Sequence, residues 1–194
     1  MKQVAIIDYG AGNVQSVQFA FERLGIQSIV TSDSSKIQSA SHVIFPGVGH
    51  AKAAKSHLVE TGLIDVIKTL NQPVLGICLG MQLLCNQTEE GQTKGLQIFD
   101  TSVVKFDVDL KVPAVGWAPV KSKNHPLFEC LDNEQFYFVH SYYAQESQQT
   151  IGVADYQISY SAALANKNFL GVQFHPERSG KAGEQLLTNF LNLS

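Results

Sequence analysis

The stretch Val74-Leu75-Gly76-Ile77-Cys78-Leu79-Gly80-Met81-Gln82-Leu83-Leu84 decides the fold, because it joins a short apolar run to a helix-forming run through a single turn. Gly-x-Cys-x-Gly between a buried strand and a helix is the nucleophile-elbow pattern, with cysteine in the place of serine. So sharp a turn needs glycine two residues to either side of the cysteine to avoid steric clash. The pattern therefore predicts a strand–turn–helix unit with the Cys78 sulfur at the N-terminus of the helix, a position that favours the thiolate.

Cys78 also has a structural interpretation, because a free cysteine is usually a small, inert residue of the core. On the catalytic interpretation the sulfur attacks a carbonyl carbon, and we expect the backbone N–H of Leu79 to face the resulting oxyanion. A nucleophilic thiolate also needs a general base and a group that orients the base. The catalytic interpretation therefore requires a second motif elsewhere in the chain.

Such a motif is Phe174-His175-Pro176-Glu177, which directly follows an apolar run. A histidine at the carboxyl end of a buried strand lies at the functional edge of an open α/β sheet. Glu177 can accept a hydrogen bond from the imidazole and so select its tautomer. The alternatives are a turn histidine with a solvated glutamate, and His140 as a competing base, although His140 is better explained as a residue that lines the pocket or satisfies polar groups in the core.

A third motif, Pro46-Gly47-Val48-Gly49, also follows an apolar run. Its two glycines allow a peptide plane to reorient, so its N–H groups could form the other half of an oxyanion hole. The alternative is an ordinary Gly-Pro turn. The Gly10–Gly12 pair does not predict a dinucleotide site, because Gln15 occupies the third glycine position of that motif.

The surrounding pattern predicts an α/β fold: an open, mostly parallel sheet with helices on both faces and an antiparallel extension. Continuous apolar runs at Val4–Ile7, His42–Phe45 and 170–174 alternate with helical patterns, one of which we expect to run to Leu70. From 96 to 160 the runs are short, β-rich and divided by turn residues, which predicts hairpins. We expect residues 1–194 to form one domain.

Composition excludes several classes of protein. The net charge of −3 argues against a nucleic-acid-binding protein, and no apolar run reaches membrane-spanning length. Three cysteines without a secretion signal suggest reduced thiols and a cytoplasmic location. Neither the histidines nor the cysteines have ligand spacing, so we expect no metal site and no cofactor.

Together and in this order, the motifs resemble those of the class I (triad) glutamine amidotransferases, in particular the glutaminase subunits of imidazole glycerol phosphate synthase. The resemblance covers nearly the whole chain. It implies a flavodoxin-like fold and hydrolysis of glutamine to glutamate and ammonia. It also implies a (β/α)8-barrel cyclase partner, which uses the ammonia to convert the nucleotide PRFAR into imidazole glycerol phosphate and AICAR in histidine biosynthesis. The matching segments are 7–10, 12–13, 46–49, 76–82, 137–143 and 171–177.

The resemblance also implies roles for individual residues. The catalytic triad falls on Cys78, His175 and Glu177. The remaining positions are an oxyanion site at Gly47, Val48, Gly49 and Leu79, a substrate pocket at Gly49, Gln82, Glu90, Ser141 and Tyr142, and a partner interface at Asn13, Trp117, Tyr137 and Arg178.

The chain departs from the family pattern in three places, all of them away from the triad. It has Pro-Ala-Val-Gly-Trp-Ala at 113–118 where Pro-His-Met-Gly-Trp-Asn is usual, a Gly-Leu-Gln-Ile-Phe-Asp-Thr stretch at 95–101, and Arg178 where lysine is common. These departures concern the partner more than the chemistry. Two alternatives follow: a paralogous glutaminase that serves another synthase, such as one that aminates a nucleotide-linked sugar, and a non-catalytic scaffold subunit.

Overall fold

The computed structural model describes residues 3–10 and 12–194, so Ala11 of the Gly10–Gly12 loop lies outside the described residues. The helices are α1 (Val14–Arg23), α2 (Ser34–Ser39), α3 (Ala51–Glu60), α4 (Leu63–Lys68), α5 (Leu79–Leu84) and α6 (Gly180–Asn192). The strands are β1 (Val4–Ile7), β2 (Ser28–Thr31), β3 (His42–Phe45), β4 (Val74–Ile77), β5 (Cys85–Thr88), β6 (Thr93–Lys94), β7 (Phe99–Lys105), β8 (Ala114–Pro119), β9 (Lys121–Ser122), β10 (Gln135–His140), β11 (Tyr142–Ala144), β12 (Thr150–Tyr156), β13 (Ile158–Asn166) and β14 (Phe169–Val172).

The main sheet has the order β2-β1-β3-β4-β14-β13-β11-β7-β5-β6, with β12 and β9 attached beside β13. The neighbours from β2 to β14 are parallel, and β13 then begins an antiparallel extension. Strands β8 and β10 form a separate antiparallel ribbon. The predicted α/β fold with an antiparallel extension is therefore confirmed.

Successive side chains of the central strands point to opposite faces of the sheet, and this divides the core into two layers. Val4 and Ile6 of β1 pack on the side of α1 and α6, whereas Ala5 and Ile7 pack on the side of α2, α3 and α4. This is the period of two that a strand with both faces covered requires. Helices on both faces leave the strand ends as the accessible part of the parallel sheet.

The helix predicted to continue to Leu70 is wrong as one element, because the chain forms α3 and α4 instead. Gly62 lies between them with φ of 67°, a left-handed conformation that ends α3. The apolar pattern of 51–70 continues through this break, since Leu58 and Leu63 are both buried. Periodicity alone therefore could not locate the turn.

The sheet places the three sequence motifs at one edge. Strands β3, β4 and β14 are parallel neighbours, so the residues that follow them lie side by side at their carboxyl ends. These residues are 46–49, Cys78 and 173–177, and this edge is where open α/β sheets bind ligands. Every helix in residues 3–10 and 12–194 is too short or too polar to span a membrane.

Candidate active site

Cys78 occupies a strained turn between β4 and α5, with φ of 53° and ψ of −110°. Its backbone N–H donates to the carbonyl of Val172 at 2.8 Å, which ties the turn to β14. The flanking glycines are required by close packing: a Cβ on Gly80 would overlap the carbonyl oxygen of Phe45, and one on Gly76 would lie 2.9 Å from the backbone nitrogen of Met81. The elbow is therefore pressed directly onto its neighbouring strand and helix.

His175 and Glu177 form a buried pair, with 2.8 Å between His175 Nδ1 and Glu177 Oε1. The second ring nitrogen, Nε2, is also buried and makes no hydrogen bond of good geometry within the described chain. Burial alone would lower the pKa of His175, but interactions with Cys78 and Glu177 outweigh it and raise the pKa to about 10. The imidazole is thus held by the carboxylate on one side and influenced by the sulfur on the other.

The turn that carries His175 is fixed to β10 through Ser179, a residue that the sequence analysis missed. The Ser179 hydroxyl donates to the His175 carbonyl at 2.7 Å and accepts from the Tyr137 N–H at 3.0 Å. In addition, the His175 N–H donates to the Tyr137 carbonyl at 2.9 Å. These contacts position the imidazole without involving its ring, and a buried serine has no sequence pattern of its own that would reveal them.

His140 has both ring nitrogens engaged. Its Nδ1 lies 2.9 Å from the Tyr142 carbonyl and its Nε2 lies 3.3 Å from the Tyr160 hydroxyl. Burial lowers the pKa of His140 to about 4, with the hydrogen bond to Tyr142 acting in the opposite direction and His175 adding to the lowering. His140 is therefore a neutral residue that lines the cavity.

The 46–49 loop lies against the start of α5 and differs from expectation in one respect. The Leu79 N–H does not face open space: it donates to the Gly47 carbonyl at 3.3 Å. The Tyr9 hydroxyl, in turn, donates to the Pro46 carbonyl at 2.9 Å. Gly49 has φ of 94° and open space where a Cβ would be. In this state one of the loop's own carbonyl groups occupies the N–H that was expected to face an oxyanion.

A cavity of about 290 Å³ opens beside Cys78. Glu90 is anchored there because its Oε2 accepts the N–H of Ala51, at the start of α3, at 2.7 Å. The cavity is also lined by Pro113, Val139 and His140. It brings together nine of the residues to which the resemblance gave a role, namely Val48, Gly49, Cys78, Leu79, Gln82, Glu90, Ser141, Tyr142 and His175, and His140 lines it as the sequence analysis expected.

Two buried glutamines connect the cavity wall to the sulfur. Gln82 Nε2 donates to the Tyr142 carbonyl and to Gln173 Oε1, both at 2.9 Å. Gln173 Nε2 then lies 3.6 Å from Cys78 Sγ. Gln82 belonged to the predicted pocket, whereas Gln173 was missed.

Three of the four residues assigned to a partner interface lie together outside the cavity. The rings of Trp117 and Tyr137 are 6.0 Å apart, and the Arg178 guanidinium lies 6.0 Å from the centre of the Tyr137 ring. Trp117 is 55% exposed. Asn13 instead caps α1, where its side chain accepts the Ser16 N–H. No group of three potential metal ligands occurs among the residues that the structure describes.

Comparison with known proteins adds sequence and structural relatives. The family described as glutamine amidotransferase class-I matches residues 5–193. The chain is 49% identical to an imidazole glycerol phosphate synthase subunit HisH from Bacteroides thetaiotaomicron, over 98% of this chain and 100% of the relative. It is 47% identical to the subunit of the same name from Haemophilus influenzae, over 98% of both chains.

The solved structures that resemble this one share its fold at low sequence identity. The structure of PurLQS from Thermotoga maritima has a TM-score of 0.74 at 17% identity, and the match covers 98% of both chains. A glutamine amidotransferase from the same organism has a TM-score of 0.61 at 18% identity, over 97% of this chain and 82% of that one.

Proposed function

The chain belongs to the class-I glutamine amidotransferases, and from that membership we propose that it is the glutaminase subunit of an imidazole glycerol phosphate synthase. Relatives with 47–49% identity over nearly the whole chain carry that subunit name. They give no support to a glutaminase that serves a different synthase. The observation that carries the catalytic part is that Cys78 and His175 line one cavity while Glu177 holds the His175 imidazole through Nδ1.

The first chemical step uses His175 as the base. Because Glu177 engages Nδ1, Nε2 is the nitrogen that takes the proton of the Cys78 thiol. The raised pKa of the imidazole, about 10, lets it keep that proton at neutral pH until the leaving group needs it. The thiolate Sγ attacks the δ-carbon of glutamine, and the carbonyl π-electrons move to the oxygen. His175 then returns the proton to the departing nitrogen, so ammonia leaves and a glutamyl thioester remains. Water, deprotonated by His175, hydrolyses the thioester and restores the thiol.

The substrate is held by groups that surround this path. Both N–H groups of Gln82 are used internally, so Oε1 is the atom with which it can contact glutamine. One oxygen of Glu90 is bound to the backbone, and its negative charge suits the substrate ammonium group. Ser141 and Tyr142 complete the wall. Gly49, Val48 and Leu79 supply the backbone near the oxyanion.

The ammonia passes to a partner, which we propose is a (β/α)8-barrel cyclase that acts on PRFAR. Support for a partner comes from the relatives' designation as synthase subunits and from an exposed apolar surface, since Val115 is 59% and Trp117 is 55% exposed. Both residues lie on β8, where Trp117 pairs with Tyr137 of β10, and the Arg178 guanidinium lies 6.0 Å from the centre of the Tyr137 ring. A cytosolic location is part of the proposal, and the free thiols of the chain support it.

The test is the Cys78→Ala variant, assayed in complex with the cyclase. We expect loss of glutamine-dependent product formation and retention of activity with ammonium salt, because ammonia bypasses the thioester steps. Cys130→Ser, at an exposed position, is the matched control and should remain within a few-fold of wild type. Glutamine-dependent turnover by Cys78→Ala would disprove the assignment of Cys78 as nucleophile. A wild-type complex that turns over another acceptor but not PRFAR would disprove the proposed pathway.

A further inference from the structure

Gln173 is completely buried directly after β14, in contact with the nucleophile and outside the triad. Its backbone N–H donates to the Ala162 carbonyl at 2.8 Å, so β13 fixes where its side chain begins. The distance of 3.6 Å between its Nε2 and Cys78 Sγ is that of an N–H···S hydrogen bond. None of the catalytic steps proposed for Cys78, His175 and Glu177 uses this contact.

A chain of contacts determines which end of the Gln173 amide faces the sulfur. The backbone carbonyl of Tyr142 can only accept, so the Gln82 atom beside it must be the nitrogen. The other N–H of that nitrogen needs an acceptor, which is Gln173 Oε1. Gln173 must then direct its own nitrogen at Cys78. The fixed backbone carbonyl of Tyr142 thus orients the Gln173 N–H toward Cys78 Sγ through this relay of hydrogen bonds.

We propose that Gln173 is a further catalytic residue, which donates an N–H to the Cys78 thiolate while Gln82 holds the Gln173 amide in the donating orientation. The proposal rests on Cys78 being the nucleophile of the proposed glutaminase. A hydrogen bond to an ionised acceptor is roughly twice as strong as one to a neutral acceptor, so this donor favours the thiolate over the thiol. It also restricts the sulfur to one position beside the cavity.

The competing explanation is that Gln173 only satisfies buried polar groups, as nearly all buried amides do. The two explanations differ in how they expect the reactivity of the Cys78 sulfur to depend on pH. A structural amide stabilises the thiol and the thiolate equally and leaves the pH profile of Cys78 reactivity unchanged. A donor to the thiolate shifts that profile when it is removed.

The experiment measures the rate of Cys78 alkylation by iodoacetamide against pH in the full chain, with Cys130→Ser as background so that the exposed thiol does not react. Gln173→Met keeps the side-chain length without the donor, and Gln173→Glu replaces the donor by an oxygen. We expect the midpoint of the profile to rise by about one pH unit in Gln173→Met, a tenfold loss of thiolate below the midpoint, and by more in Gln173→Glu. Gln149→Met is the control, because the Gln149 amide accepts the Asp100 N–H away from the cavity.

An unchanged midpoint in folded Gln173→Met would overturn the proposal. A measurement on the unsubstituted side chain covers the case in which neither variant folds: the side-chain amide resonance of Gln173 should titrate with the midpoint of Cys78 alkylation. A resonance that does not move with pH would equally overturn it. Neither readout requires glutamine or the cyclase, so the result is separate from that of the glutaminase assay.

Discussion

At the scale of the residue, His175 and His140 line the same cavity, but their surroundings drive their pKa values in opposite directions. His175 has a carboxylate and a sulfur as partners, and its pKa rises to about 10. His140 has a carbonyl and a phenol, which offer no negative charge to offset burial, and its pKa falls to about 4. Only the first imidazole can hold a proton for the leaving group at neutral pH.

The neutral His140 makes the protein sensitive to acid. Its pKa is lower in the folded state than in the unfolded state, so the unfolded chain binds more protons between about pH 6.5 and 4, and stability falls as the pH falls through that range. In wild type this histidine costs about 3 kcal/mol at the acid end of the window. His140→Gln should lose less unfolding free energy between pH 7 and pH 4, measured by urea denaturation. Its glutaminase activity should exceed that of His175→Gln; the reverse order would make His140 the better base.

The orienting carboxylate is tested by Glu177→Gln. The raised pKa of His175 contributes stability that is fully present below about pH 6.5 and is lost as the pH rises through about 10. Removing the charge of Glu177 should therefore flatten the alkaline decline of stability. Turnover should fall, but less than in His175→Ala, because in serine triads the orienting carboxylate is worth roughly 50- to 100-fold less than the base. Equal losses in the two variants, both folded, would contradict the orienting role.

Motifs identified the residues that the structure gathers at the cavity, because Cys78 and His175 have signatures in their own local sequence. Gln173 and Ser179 have none. Their significance depends on which atoms lie opposite them across β10, β13 and α5, and those neighbours are distant in sequence. Sequence alone also could not show that the Leu79 N–H is taken up by the Gly47 carbonyl, since either orientation of that loop suits the same residues.

At the scale of the element, the strand–turn–helix unit depends on close backbone contact at Gly80. Helix propensity alone would favour Ala at this position by about 1 kcal/mol, but its Cβ would overlap the Phe45 carbonyl oxygen. We expect the overlap to dominate, so Gly80→Ala should destabilise the protein by about 1–3 kcal/mol and reduce Cys78 alkylation at neutral pH.

The matched control for Gly80→Ala is Gly25→Ala, which has open space around its Cβ but φ of 71°. It should cost about 1–2 kcal/mol through backbone strain alone and leave the reactivity of Cys78 unchanged. Gly80→Ala with wild-type stability and reactivity would show that α5 can move away from β3, contrary to the packing described above.

Helices and strands formed by interactions between residues close in sequence could be predicted, whereas those formed by distant residues could not. The limits of β1, β3 and β4 agree with the apolar runs, because those strands are buried on both faces and are followed by Asp8, by Pro46 and by the sharp turn at Cys78. Strand β5 has the sequence Cys-Asn-Gln-Thr, which has no apolar pattern and forms only because β6 and β7 pair with it. Such pairing involves distant residues and cannot be read from a local window.

At the scale of the whole molecule, the proposed active site lies where three pieces of the chain meet, and one of them blocks it. The Gly47 carbonyl accepts the Leu79 N–H, so the donor that should stabilise the oxyanion is already occupied. The Tyr9 hydroxyl donates a hydrogen bond to the preceding carbonyl, that of Pro46. Rotation of the peptide between Gly47 and Val48 would free the Leu79 N–H and present the Val48 N–H instead. Val48 is 40% exposed, so this movement meets little packing resistance.

We expect the isolated chain to be nearly inactive and the cyclase, with its acceptor bound, to activate it. Loss of one oxyanion donor costs roughly 100- to 1000-fold in rate, and a ligand can shift the loop only through a difference in affinity for its two states. Glutamate release should therefore be slow for the chain alone and fastest with cyclase plus an acceptor analogue. Gly49→Val should speed the isolated chain and so shrink that rise, because a β-branched residue resists the φ of 94° that Gly49 has in the blocked state, even though space for its Cβ is open. Equal rates in the three conditions would show that the loop does not gate the enzyme, and a full rise in Gly49→Val would place the moving peptide elsewhere.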